Sequence, residues 1–159
     1  MLPENVFFSP YESKNPGNKA LNKTIIIKNR LEEIDILAEE AGEFCNTAGI
    51  EKRDALRIRL ILEELIVNTI SYGYTDESEH EISVDLNKNG EQVEITIKED
   101  SVPFDPFQAE PPDLESPLEE RKTGGHGIHL VKNLSESLIY HSADNINTTT
   151  ITFLTGKTG

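Results

Sequence analysis

Two polar side chains, Glu64 and Asn68, lie four residues apart in a segment whose apolar residues have helical spacing. Because residues at i and i+4 share one face of a helix, we expect these side chains to lie side by side. A carboxylate can act as a general base, and an amide oxygen can bind a hard cation such as Mg²⁺. The pair therefore indicates a site that combines proton abstraction with metal binding.

A second candidate feature is the group Gly124, Gly125 and Gly127, which opens another amphipathic run. Glycines at the start of a helix expose backbone N–H groups that can bind phosphates. Alone, such a group is more often a flexible turn, and an i, i+4 Glu/Asn pair is common on solvated helices. Together, the two features predict a Mg·ATP site with a general base.

The composition excludes several classes of protein. A length of 159 residues with 36% hydrophobic content is typical of one domain with a single core. The formal net charge of −14 argues against binding nucleic acid or an anionic membrane. Cys45 is the only cysteine, so no internal disulfide can form. Without a basic-then-apolar leader or a run of membrane-spanning length, we expect a soluble, cytoplasmic protein.

Two histidines, His126 and His129, have the i, i+3 spacing of a metal-binding pair on a helix. No carboxylate or cysteine lies near them in the sequence, so a transition-metal site is disfavoured.

The pattern along the chain predicts an N-terminal arm at residues 1–21, followed by a domain at residues 22–156 with a lid at about 107–124. The second helix should bury one apolar stripe, formed by Ile58, Ile61, Leu62, Leu65 and Ile66. The predicted strands and helices, in chain order, are strand 24–27, helix 31–48, helix 51–72, strands 81–86 and 93–97, helix 127–134, and strands 138–140 and 148–153. This order predicts an α/β (α+β) two-layer sandwich, in which helices cover one face of a mixed, mostly antiparallel sheet.

Four motifs in this order resemble those of the GHKL superfamily of ATP-binding domains, and most closely those of the anti-sigma-factor serine-protein kinases. The resemblance covers residues 22–154. The motifs are residues 64–68 with Tyr74, residues 102–106, residues 112–115 with 118–121, and residues 124–131.

The resemblance implies a role for several residues around the base and the metal. Glu64 would activate the nucleophile, and Asn68 would bind Mg²⁺. Pro103 and Phe104 would form part of the adenine pocket. Thr150 would support adenine recognition through a water molecule.

The resemblance also implies backbone contacts to the phosphates from the last motif, where the residues are Gly124, Gly125, His126, Gly127 and Ile128. Arg121 lies in the predicted lid, whose other charged side chains are mostly acidic. It either contacts phosphate when the lid closes or is simply solvated, and the sequence does not separate these alternatives.

This chain departs from the family pattern at two places. The adenine-reading motif is Asp-x-Gly, whereas the matching stretch contains Glu99, Asp100 and Ser101. Counting back from Phe104 aligns Glu99 with the aspartate of the motif, whereas the identity of the side chain favours Asp100. Ser101 aligns with the glycine of the motif and adds a side chain where the backbone should approach the nucleotide closely. In addition, Tyr72 stands where relatives often have histidine.

The function implied is that of an ATP-dependent serine/threonine protein kinase, which phosphorylates an antagonist protein and sequesters a sigma factor. Homodimerisation is an expectation from the same resemblance. The alternative is a nucleotide-binding regulatory module that has little or no kinase activity and acts by sequestering a protein partner. An isolated ATP-binding subunit that serves a separate sensor is a third reading.

Overall fold

The computed structural model describes residues 20–108 and 126–157. These parts of the chain contain five strands and three helices, in the order that the sequence predicts. The elements are β1 (Leu21–Lys28), α1 (Glu33–Thr47), α2 (Lys52–Tyr72), β2 (Glu81–Asn89), β3 (Gln92–Glu99), α3 (His126–Leu134), β4 (Ser137–Ala143) and β5 (Ile146–Leu154). The predicted two-layer fold is thus confirmed, with element ends that differ from the sequence-based bounds by a few residues.

The strands form one sheet in the order β1-β2-β3-β5-β4. All four pairings are antiparallel. The sequence-based prediction of a mixed, mostly antiparallel sheet is therefore wrong in the word mixed. Two of these pairings follow from the connections, because β2–β3 and β4–β5 are tight hairpins and a hairpin can join only antiparallel strands. In the second hairpin, Asp144 and Asn145 have φ values of 54° and 63°, as a type I′ turn requires.

The core lies between one face of the sheet and the helices. Buried residues alternate along β2, β3 and β5, as expected when only one face of a sheet is covered. Apolar residues of the strands and of all three helices form one buried cluster. Cys45 belongs to this cluster, where burial raises the pKa of its thiol.

Helix α2 carries the predicted apolar stripe into this core. All five residues of the stripe are at most 5% exposed, and full burial of each such side chain contributes about 1.5–3 kcal/mol. Their burial fixes the rotation of α2 about its axis. Asn68, which is not in the stripe, therefore reaches a cavity beside the helix.

The segment after β3 includes a short 3-10 turn at Pro106–Gln108. The carbonyl oxygen of Phe107 in this turn accepts a hydrogen bond of 2.7 Å from the ammonium group of Lys132 on α3. Residues 1–19 and 109–125, which include most of the predicted arm and lid, lie outside the described residues. Across the described ranges, no helix is both long enough and apolar enough to cross a membrane.

Candidate functional site

A cavity of about 410 Å³ opens beside the C-terminal half of α2. Its volume lies within the range of small-molecule sites, and its mostly apolar wall with a few polar groups is typical of them. The lining residues come from α2, β3 and the segment after it, the start of α3, β4 and β5: Leu65, Asn68, Thr69, Tyr72, Gly73, Ile97, Glu99, Ser101, Val102, Pro103, Phe104, Pro106, Ile128, Tyr140 and Thr149.

Glu64 and Gly127 meet beside this cavity. Asn68 and Ile128 line it, whereas Glu64 is half-buried beside it. The Glu64 carboxylate lies directly against Gly127, where a Cβ atom would overlap the carboxylate. Two segments that are about 60 residues apart in the sequence are therefore adjacent in the structure.

The structure separates the roles of Glu99 and Asp100. Glu99 is 8% exposed and lines the cavity, because it points to the same face of β3 as Ile97. The exposed Asp100 points elsewhere, and its Oδ2 lies 3.0 Å from Nδ1 of His80. Of the two candidates, Glu99 is thus the one placed to contact a ligand.

His80 connects Asp100 to the loop that follows α2. Its Nε2 lies 2.8 Å from Oδ1 of Asp76, so both ring nitrogens face carboxylates. These hydrogen bonds raise the pKa of His80 above its ordinary value, and the bond with Asp76 has the larger effect. The pKa of Asp76 is lowered to about 2, first by the hydroxyl of Ser78 and then by His80. No sequence motif indicates this cluster, since Asp76 and Asp100 are 24 positions apart.

The ring of Tyr74 stacks on His80, with 4.6 Å between the ring centroids. Among the described residues its buried hydroxyl has no hydrogen-bond partner, and burial raises its pKa.

Ser101 fits its position because its neighbour across the cavity wall is a glycine. A Cβ atom on Gly73 would lie 2.7 Å from Cβ of Ser101. The carbonyl oxygen of Gly73 also accepts a hydrogen bond of 2.8 Å from the backbone N–H of Val102. The side chain at position 101 is therefore accommodated by close contact with the end of α2. Nearby, Tyr72 lines the cavity and is 81% exposed.

The assignment of Thr150 to the site is corrected to Thr149. Thr149 is 7% exposed and lines the cavity. Thr150 is the next residue on β5, and successive side chains of a strand point to opposite faces. Its side chain therefore lies on the sheet face away from the helices, where the residue paired with it on β3 is Thr96.

The remaining predicted residues divide into two groups. Pro103 and Phe104 line the cavity, and Phe104 is 68% exposed. Arg121, Gly124 and Gly125 lie outside the described residues, and His126 is described only as the first residue of α3.

Sequence reasoning missed two polar residues of the β4–β5 hairpin. Tyr140 lines the cavity, and the fully buried Asn147 lies behind Glu99. The sequence offers only a weak indication of Asn147: it alternates along β5 in step with the buried apolar residues, but no motif surrounds it.

A family model for the histidine kinase-like ATPase domain matches residues 27–153. The chain belongs to this family. The matched range contains β2, β3 and β4, the last two residues of β1 and all of β5 except Leu154, and it contains every described site residue. The family assignment agrees with the resemblance on which the sequence-based prediction rested.

Two relatives of the chain are named as a serine/threonine-protein kinase and an anti-sigma factor. The chain is 28% identical over 119 residues to the serine/threonine-protein kinase BtrW of Bordetella bronchiseptica, covering 72% of this chain and 84% of that protein. It is 24% identical over 86 residues to an anti-sigma F factor of Oceanobacillus iheyensis, covering 54% of this chain and 59% of that protein.

A solved structure shares the fold. The chain is similar to the crystal structure of the RsbU and RsbW domains of Rv1364c from Mycobacterium tuberculosis, with a TM-score of 0.61 and 16% sequence identity. The similarity covers 85% of this chain and 32% of that one.

Proposed function

We propose that this protein is an ATP-dependent serine/threonine protein kinase of the anti-sigma type. The observation that carries the proposal is the contact of the Glu64 carboxylate with Gly127 beside a cavity that Asn68 lines. Glu64 is the general base in this proposal. The names of the relatives, a serine/threonine kinase and an anti-sigma factor, support the reaction class and the biological setting.

The cavity suits a nucleotide with a divalent cation. Its apolar wall, with Pro103 and Phe104 exposed at the mouth, can cover a purine, and Glu99 can accept a hydrogen bond from the base. Asn68 would hold Mg²⁺ through its amide oxygen, a hard ligand of the kind this ion prefers. When bound, the ion would neutralise charge on the phosphates.

In the transfer step, Glu64 would accept the proton of a protein hydroxyl while the hydroxyl oxygen attacks the terminal phosphorus of ATP. The bond from that phosphorus to the bridging oxygen then breaks, and ADP leaves. The first N–H groups of a helix have no intrahelical partner, so those at the start of α3 would donate to phosphate oxygens. The chain thus supplies a base and anion-binding groups on adjacent elements, as phosphoryl transfer requires.

The partners are part of the proposal. An antagonist protein would supply the hydroxyl, and a sigma factor would be sequestered when the antagonist is phosphorylated. The net charge of −14 suits protein partners better than direct binding of nucleic acid or of a membrane. A cytoplasmic setting is proposed on the similarity to an anti-sigma factor. A homodimer is proposed on the resemblance alone.

A second function, nucleotide binding without turnover, is favoured by one feature. Ser101 occupies the position of the expected glycine and adds a side chain to the lining of the cavity. If the terminal phosphate is not aligned with the attacking hydroxyl, no transfer takes place. The protein would then act only as a nucleotide-binding switch that sequesters its partner.

The deciding experiment compares wild type, Glu64→Gln and Glu63→Gln with labelled Mg·ATP and candidate antagonist proteins. Glu63 is the matched control, because it is adjacent but is paired with Arg59, with 2.8 Å between Nε and Oε1. We expect transfer of label to a serine or threonine by wild type and Glu63→Gln but not by Glu64→Gln. Nucleotide binding without transfer to any cognate antagonist would identify the switch, and absence of Mg·ATP binding would refute both functions.

A further inference from the structure

The segment after β3 is held to the β4–β5 hairpin by two side chains, Asn147 and Tyr140. Asn147 is 1% exposed and pairs with Glu99 in the register of β3 and β5. Its Nδ2 donates to Oε2 of Glu99 at 3.1 Å and to the carbonyl oxygen of Ser101 at 2.9 Å. The hydroxyl of Tyr140 donates to Oδ1 of Asn147 at 3.1 Å and accepts from the backbone N–H of Phe104 at 3.0 Å.

These contacts fix the orientation of the Asn147 amide. Its NH₂ group faces two acceptors, the Glu99 carboxylate and the Ser101 carbonyl, so only its oxygen can face the hydroxyl of Tyr140. A flipped amide would place its oxygen against the Glu99 carboxylate and the Ser101 carbonyl, neither of which offers a hydrogen. The network therefore has one arrangement that satisfies its members.

The same contacts hold the Glu99 carboxylate. Its Oε2 accepts from Asn147 and from the backbone N–H of Ser101, the latter at 2.6 Å. In the described part of the chain no donor reaches Oε1 of Glu99, and the residue lines the cavity. One oxygen is thus engaged by the protein, while the other is left as an acceptor for a ligand.

We propose that Asn147 and Tyr140 are positioning residues that set the selectivity of this site for the base of the nucleotide. They hold Glu99 so that the site favours a base with an exocyclic amino group over a base with a carbonyl oxygen at the same position. The inference rests on the proposed nucleotide binding. An ionised carboxylate accepts hydrogen bonds but cannot donate them, so it pairs with an amino group and repels a carbonyl oxygen. Because the contacts with Asn147 and Ser101 prevent Glu99 from turning away, the wrong base leaves a buried carboxylate oxygen opposite another acceptor.

The test measures the affinities of Mg·ATP and Mg·ITP. At the same ring carbon, ATP carries an amino group and ITP a carbonyl oxygen, and the adjacent ring nitrogen is an acceptor in ATP but carries a hydrogen in ITP. The variants are Asn147→Asp, which replaces the donor to Glu99 with a carboxylate oxygen, and Tyr140→Phe, which removes only the hydroxyl. Thr148→Val is the control, since Thr148 is adjacent to Asn147 but on the other face of β5, and valine keeps the branched shape. Thermal unfolding of each variant checks that it is folded.

We expect wild type and Thr148→Val to prefer ATP by the same ratio. In Asn147→Asp this ratio should fall about tenfold or more, and in Tyr140→Phe by a smaller factor in the same direction, as expected when one charge-assisted hydrogen bond is misplaced. A general loss of stability would weaken the binding of both nucleotides equally and leave the ratio of their affinities unchanged. If Asn147→Asp does not fold, Tyr140→Phe carries the test.

The failure of this inference is distinguishable from the failure of the proposed function. An unchanged ratio in folded Asn147→Asp and Tyr140→Phe, with wild type still preferring ATP, overturns the positioning role alone. Wild type that binds both nucleotides equally also overturns the selectivity. Wild type that binds neither nucleotide overturns the proposed function and this inference with it.

Discussion

The Glu64 carboxylate occupies the space that a Cβ atom of residue 127 would need. Glycine is therefore required at this position by packing against α2, in addition to any contact with phosphate. The atoms that a larger residue would meet are the far end of a flexible side chain, so a substitution should displace Glu64 before it disturbs the fold. The contact thus links the position of the candidate base to the identity of a residue on α3.

We predict that Gly127→Ala lowers phosphoryl transfer about 100-fold, the lower range for loss of a positioned general base. Nucleotide affinity should change far less, because alanine keeps the backbone N–H. Transfer rates under saturating ATP and nucleotide affinity, measured on the same preparation, check this outcome.

The control for this substitution is Gly42→Ala, in the interior of α1, where a Cβ atom would meet no other atom within 4 Å. Transfer should be unchanged, and stability should rise by about 0.5–1 kcal/mol because alanine favours the helix. Full transfer activity in Gly127→Ala would show that the Glu64 carboxylate can move without consequence.

Gly73→Ala should destabilise the fold by about 1–3 kcal/mol, the usual cost of overpacking. The new Cβ atom would lie 2.5 Å from the carbonyl oxygen of Thr69 and 2.7 Å from Cβ of Ser101. The φ of Gly73 is −85°, so the cost would come from packing alone. Urea unfolding measures it. The double variant Gly73→Ala with Ser101→Gly should recover only part of the lost stability, since the contact with Thr69 remains. Full stability of Gly73→Ala alone would contradict the packing argument.

The stability contributed by His80 should depend on pH. Its pKa is raised in the folded state, so its stabilising contribution is complete below the ordinary value of about 6.5 and is lost as pH rises through the raised value. The pKa of Asp76 is lowered to about 2, so its contribution is present above about 4 and is lost as pH falls towards 2.

The difference in unfolding free energy between wild type and His80→Gln should therefore be largest between about pH 4 and 6.5 and should shrink above that range. Chemical unfolding at several pH values, with wild type and variant side by side, measures it. A difference that stays constant from pH 5 to 9 would show that His80 is not held as a cation by Asp76 and Asp100.

Asp54→Ala should lower the free energy of unfolding by about 1–3 kcal/mol. Asp54 lies in the first turn of α2, is 1% exposed, and accepts a hydrogen bond of 2.8 Å from the backbone N–H of Gly156. Its loss would release the chain after β5 from the start of the helix. Glu51→Ala is the control, because Glu51 is exposed and makes no capping hydrogen bond, so the change should stay within about 0.5 kcal/mol. Equal effects of the two substitutions would argue against the tether.

Local periodicity was sufficient to predict the elements of this protein from sequence. The alternation in β2 and β3 and the apolar stripe of α2 depend on neighbours along the chain, so the order of elements and the buried face of α2 could be derived. The motifs likewise identified Glu64, Asn68 and Gly127, because each motif is a short continuous segment.

Tertiary structure decided the rest, wherever the outcome depended on which side chains meet across the sheet. The phase of β3 places Glu99 rather than Asp100 at the cavity, and the phase of β5 places Thr149 there rather than Thr150. Asn147 entered the site only through its pairing with Glu99, 48 positions earlier. A shift of one residue in the register of a strand moves each side chain to the opposite face, and that register is set by pairing and core packing between distant segments.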